Sequence, residues 1–159
     1  MDNSGIEVRD SEIQGKGVFT TRDFSVGERI YEYPQGRRIK RKEIGTLTEE
    51  EQEHLDVIDA DTYELMQAPG SYVNHSCDPN MIEKGRIGYA LKPIKKGEEL
   101  TADYRVRAYD DWQIKCNCGS KNCQGVIVGN FFSMPLDLQK KYLSYAPDFI
   151  QEEFKKNNP

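Results

Sequence analysis

The chain has 159 residues, a formal net charge of −5 and a pI near 5.2, which is the size of one domain and too acidic to attract a phosphate backbone unaided. Hydrophobic residues make up only 36% against 31% charged, mean hydropathy is −0.78, and no apolar run approaches the ~18 residues of a membrane span. A soluble protein with one core and a cationic partner is expected, with no membrane association.

"MDNSGIEVRD" has neither the basic stretch nor the apolar segment of a secretory signal. That predicts a reducing interior, cytoplasmic or nuclear, where the four cysteines act as metal ligands or thiols rather than as disulfides.

Ile6 and Val8 alternate with polar neighbours, and Val18 and Phe19 resume the pattern after Gly15-Lys16-Gly17, which reads as strand, glycine turn, strand. "RIYEY", Arg29 to Tyr33, is a third short strand entered at Gly27-Glu28 and stopped by Pro34. In "TEEEQEHL", Thr48 with Glu51 three residues on forms a capping-box pattern and predicts a helix, with Val57 and Ile58 as the start of another strand. Ile87, Tyr89 and Leu91 alternate, Pro93 and Gly97 mark a connection, and a further short run ends at Tyr104. Many short strands with glycine and proline turns argue for a mainly β domain. Ser133 and Pro135 open a helix over "PLDLQKKYL", Pro147 opens another over "PDFIQEEFKK", and "KKNNP" is expected to fray.

Cys116, Cys118 and Cys123 stand in CxCx4C around Gly119 and Ser120, so one tight loop offers three thiolates to one cation. A structural zinc ion takes four ligands. The fourth is Cys77, distant in sequence, or in its place His75 or His54.

"GKGVFTT", "YVNHSCDPN", "GEELTADY" and "CNCGSKNCQG", in this order, resemble the SET domain and post-SET zinc loop of protein lysine methyltransferases. The resemblance covers residues 6 to 128, and the tail beyond it resembles the C-terminal extension of small stand-alone members. It implies a β-rich SET fold (β-clip) of several small sheets with a pseudoknot, followed by short C-terminal helices. Residues 1–106 would form the SET domain, with a variable insert over 34–71, residues 107–128 the post-SET zinc loop, and 129–159 a helical extension. The cysteine-rich pre-SET region of many chromatin members has no counterpart ahead of Gly15. The resemblance also implies that Cys77 completes the zinc site with Cys116, Cys118 and Cys123, tying the loop over the active site. Such a metal contributes on the order of 10 kcal/mol to ordering the segment.

The implied reaction moves a methyl group from S-adenosylmethionine to the lysine amine of a basic protein segment, histone-like tails among them. Positioning is the main task, and the amine must first be neutral, which at pH 7 costs about 4 kcal/mol for a lysine of ordinary pKa. By resemblance Tyr104 is the catalytic tyrosine and Tyr33 walls the lysine channel. Gly15, Lys16 and Gly17 bring the backbone close to the cofactor, Asn74 and His75 hold its amino end and adenine, and Tyr72 and Ile127 add apolar contacts.

Two positions depart from the pattern. Ser71 stands where many members carry arginine. Ala102 stands where they carry phenylalanine or tyrosine, which leaves room for a dimethylated amine unless Tyr109 or Trp112 fills it. The acidic stretches "TEEEQEHLD" and "DAD" either line a groove for a basic tail or form a solvated face. The alternative function is a catalytically silent adaptor on the same fold. Direct nucleic-acid binding is not expected, for want of a basic surface.

Overall fold

In the computed structural model, which describes residues 2–159, β1 (Ile6–Asp10) and β2 (Lys16–Thr20) form an antiparallel hairpin with Ile6 opposite Thr20. Gly15 turns the chain at φ +47°, and its carbonyl accepts from the Ser11 N–H at 2.9 Å. β3 (Arg29–Glu32) follows, and then an insert of β4 (Arg38–Lys40), a 3-10 turn (Arg41–Thr46), α1 (Glu49–Glu53), β5 (Leu55–Val57) and β6 (Thr62–Leu65). Within the insert, β6 lies between β4 and β5. The capping box is formed: Glu51 N–H donates to Thr48 Oγ1 at 3.2 Å and Thr48 N–H to Glu51 Oε2 at 3.0 Å. The turn signals did not reveal β4 and β6; β4 finds its partner β6 across the insert, and β6 also forms a short hairpin with β5.

β7 (Asn74–His75) runs parallel to β10 (Thr101–Ala102). Between them, β8 (Met81–Lys84) and β9 (Ile87–Ala90) form a hairpin that joins β3 in a three-stranded antiparallel sheet with β9 at its centre. A 3-10 turn over Tyr104–Arg107 leads to β11 (Tyr109–Lys115), which pairs with β12 (Val126–Asn130) around the CxCx4C loop. α2 (Leu136–Tyr142) and α3 (Asp148–Asn157) close the chain, each after the proline that sequence marked. The end does not fray as expected. α3 runs through Lys155 and Lys156 because Phe154 is buried and Asn158 caps it, with backbone N–H and side-chain Nδ2 both 3.0 Å from Phe154 O. No helix among the described residues is long and apolar enough to cross a membrane.

The expected single core is divided. The sheets have only two or three strands each, so apolar side chains collect in separate clusters rather than in one. One, with Val18, Tyr31, Tyr33, Val73, Met81 and Leu100, draws on β2, β3, β8 and β9. A second packs Ile82, Val106 and Phe131 against Tyr142, Ile150 and Phe154 of the C-terminal helices. A third, with Ile39, Val57 and Tyr63, belongs to the insert. A small fourth holds Cys77, Cys116 and Ile127. The β3–β9–β8 sheet separates the first two, with Met81 and Ala90 on one side and Ile82 and Tyr89 on the other.

Candidate active site and metal centre

The side chain of Asn74 draws three segments together. Its Nδ2 lies 3.2 Å from Gln14 O, 3.0 Å from Lys16 O, 3.1 Å from Ser11 Oγ and 2.8 Å from Glu99 Oε1. It thereby fixes the Gly15 turn against the strand leading to β10. A Cβ at Gly17 would lie 2.3 Å from Glu99 Oε1 and 3.0 Å from Ser11 Cβ, so a side chain there would push the Glu99 carboxylate out of this arrangement. Lys16 takes part through its carbonyl; its ammonium turns outward to Asp10 at 2.8 Å. Glu99, which sequence reasoning did not single out, also accepts the Ser11 hydroxyl at 2.7 Å. Its only signal was its place inside "GEEL".

Next in β7, His75 is buried, and its ring lies edge-on to Tyr104 with centroids 5.2 Å apart. The Tyr104 N–H donates to His75 Nδ1 at 3.2 Å, so the ring proton sits on Nε2, which faces Cys77 Sγ at 3.5 Å. Burial lowers the His75 pKa to about 4, against the raising charge of Asp103, and the imidazole is neutral. The Tyr104 hydroxyl donates to Val73 O at 2.8 Å. Burial, and after it the negative charge of Glu83, holds that phenol above its ordinary pKa. Tyr104 is therefore a neutral hydroxyl held by the Val73 carbonyl, with its own backbone N–H held by the His75 ring.

Asn74, His75 and Tyr104 line a cleft with Ile13, Gln14, Ile114 and Cys116. Of the other expected residues, Tyr72 is partly exposed, while Ile127 is enclosed among the cysteines and Tyr33 lies in the first core cluster beside Val73. Ile114, opposite Ile127 across the hairpin, is the apolar side chain of the cleft that sequence did not identify. The adjacent Asp110 and Asp111, where the register shifts, break the alternation that would have marked its strand. Ala102 packs against the first cluster. Neither proposed substitute enters that cluster. Tyr109 bonds Glu153 Oε2 at 2.5 Å and stacks edge-on with Phe149 at 5.0 Å, and Trp112 lies over Gly129, 6.5 Å from the Tyr104 ring.

Cys77, Cys116, Cys118 and Cys123 present four sulfurs within 4.8 Å of one another. The Cys77 and Cys116 sulfurs are 3.8 Å apart, the edge of about 3.8 Å expected of a tetrahedron with ~2.3 Å zinc–sulfur bonds. Backbone N–H groups of Gln124 and Gly125 point at Cys77 Sγ and Cys123 Sγ, each at 3.4 Å, and would stabilise thiolates. The donor set fits zinc. His54 is remote from it, its Nδ1 lying 2.7 Å from Glu50 O in the insert. His75 contacts Cys77 from outside the four thiols.

Residues 15–105 match the family model described as SET domain. The chain belongs to the SET domain family. This SET domain is 34% identical over 137 residues to the histone-lysine N-methyltransferase trithorax of Drosophila virilis, covering 72% of the chain and 3% of that protein. It is 32% identical over 143 residues to an H3 lysine-36 specific histone-lysine N-methyltransferase of Yarrowia lipolytica, covering 79% and 18%. With the variant-silencing SET domain-containing protein of Plasmodium falciparum it shares 33% over 173 residues, covering 96% and 6%. It thus spans a small part of these relatives' length. SET methyltransferases use S-adenosylmethionine, and the cysteine cluster beside this SET domain is compatible with a post-SET zinc loop.

Proposed function

We propose that the chain is a protein-lysine N-methyltransferase that takes its methyl group from S-adenosylmethionine and acts on basic protein segments, histone tails among them. The observation that carries this reading is the Tyr104 hydroxyl, bonded to Val73 O at 2.8 Å beside a cleft walled by Asn74 and His75. The relatives' names, which specify histone lysines, support the substrate class, and an acidic chain suits a basic tail.

S-adenosylmethionine supplies an electrophilic methyl on a sulfonium. The Gly15–Gly17 turn, Lys16 through its carbonyl, Tyr72, Asn74, His75 and Ile127 would hold it, with Tyr104 bordering both ligands. Tyr104 orients the amine, and Tyr33 forms a wall of the lysine channel. Residues 1–106 then serve as the SET domain with its insert at 34–71, 107–128 as the post-SET loop and 129–159 as the helical extension. A zinc ion on Cys77, Cys116, Cys118 and Cys123 fixes that loop beside the cleft.

The test is transfer of labelled methyl from S-adenosylmethionine to core histones. Transfer is expected, and Tyr104→Phe should reduce it ~100-fold or more. A native protein whose melting temperature rises with S-adenosylmethionine but which labels no basic protein would support the silent adaptor instead.

A further inference from the structure

One aromatic side chain beside Tyr104 has no part in the scheme above. β11 loses its register with β12 between Tyr109 and Trp112, where Asp110 and Asp111 are inserted and Asp111 takes φ +57°, a left-handed conformation that a non-glycine residue adopts at some cost. This bulge is tied down on both sides. Asp110 accepts from Arg41 Nη2 at 2.7 Å and from the Tyr63 hydroxyl at 2.8 Å, both in the insert, and Asp111 accepts from Asn130 Nδ2 at 2.8 Å.

Beyond the bulge the pairing is regular, so Trp112 and Ile114 share one face of the hairpin. Ile114 lines the cleft. Trp112 stands opposite Gly129, and its indole fills the space a side chain there would need, since a Cβ on Gly129 would meet Trp112 Cε2 and Cδ2. The indole meets the Tyr104 ring edge-on, with centroids 6.5 Å apart and planes at 72°. It stays 37% exposed, whereas a tryptophan that served only to fill a core would be enclosed. A bulge and a glycine thus hold a rigid, open aromatic face at the mouth of the cleft, the kind of surface that anchors a partner.

Charge decides what this face takes. After burial, the negative charges of Glu83, Glu99 and Glu53 all raise the Tyr104 pKa, against a lowering bond with His75, so the field around Tyr104 is negative, as is the net charge of −5. An indole in a negative field favours a cation. We propose that the Trp112 indole receives a cationic side chain of the substrate, an arginine or lysine within two residues of the lysine presented to Tyr104. An extended peptide advances about 3.5 Å per residue, which brings such a neighbour to a ring 6.5 Å from Tyr104. Trp112 then sets which lysines are methylated, by what stands beside them.

The inference rests on the methyltransferase reading, but the chain carries a probe that needs no turnover, because Trp112 is its single tryptophan. Emission of the native full chain is followed while a synthetic peptide is added, one lysine flanked by arginines in a glycine–serine background, and again with citrulline in place of each arginine. The arginine peptide should change the emission saturably, and the citrulline peptide should need about fivefold more for half-saturation. In labelled-methyl transfer, Trp112→Ala should raise the KM of the arginine peptide about fivefold but not that of the citrulline peptide or of S-adenosylmethionine, and Trp112→Phe should restore most of the loss. The emission titration decides the matter if Trp112→Ala does not fold. No response to the arginine peptide, an equal response to both peptides, or a Trp112→Ala defect in the KM of S-adenosylmethionine alone would overturn the inference while leaving the methyltransferase reading intact. Emission that follows the arginine peptide, with no transfer to any histone or peptide, would overturn that reading and keep the cation site.

Discussion

Tyr104 owes its orientation to two backbone-linked bonds, its N–H on His75 Nδ1 and its hydroxyl on Val73 O, so removing the hydroxyl leaves the ring anchored. Tyr104→Phe is expected to cost only about 1 kcal/mol of stability by denaturant unfolding, and the large loss of transfer then reports chemistry rather than misfolding. Glu83 makes the opposite kind of statement. Its folded pKa of about 7 lies above an unfolded value of 4.5, so between those pH values the folded chain keeps a proton the unfolded chain has lost. Stability therefore falls as pH rises through that window, by on the order of 3 kcal/mol from this group alone. Glu83→Gln should flatten the fall in unfolding free energy measured from pH 4.5 to 7.5. An unchanged slope would mean the carboxyl is not held protonated.

Among the elements, the β3–β9–β8 sheet depends on a missing side chain. Gly88→Ala would set a Cβ 2.8 Å from the Tyr31 ring and 3.1 Å from Met81 Cε. Because β9 is the central strand and cannot move aside, a cost of about 1–3 kcal/mol is expected, with the Tyr31 phenol displaced from Glu83, visible in a tyrosine absorbance or NMR shift. The β11–β12 hairpin depends instead on what its loop binds. Native protein should carry one zinc per chain by elemental analysis, and Cys77→Ser should lower that severely although position 77 lies outside the loop. Hydrogen exchange should then speed up across 116–127 while the β1–β2 hairpin keeps its protection.

The whole molecule has several small cores, two of them on opposite faces of the β3–β9–β8 sheet, and its C-terminal helices complete the second of them. Ile150 is fully buried there against residues such as Ile82 and Val106, so Ile150→Ala should destabilise by about 2–5 kcal/mol in thermal or denaturant melts. A smaller effect would mean that α3 docks independently of the sheet. What local chemistry writes, the sequence disclosed: the glycine turn at Gly15, the Thr48–Glu51 capping box, the proline starts of α2 and α3, the motifs that mark a SET domain, and the cysteine count that demanded a fourth ligand from afar. The turn, the capping box and the helix starts involve residues a few positions apart, whose preferences survive in any context, whereas the motifs and the cysteine count are legible as a pattern of residue types without their geometry. The resemblance already named Cys77, but only the folded chain shows its sulfur beside the loop thiols, and only it could decide that Tyr109 and Trp112 stay out of the cluster behind Ala102, that the described apolar residues split into separate clusters, and that Tyr31 reaches Glu83 across an empty Gly88. Each of these joins segments distant along the chain, and burial, pairing and charge at such meetings arise from tertiary packing, for which no local pattern codes.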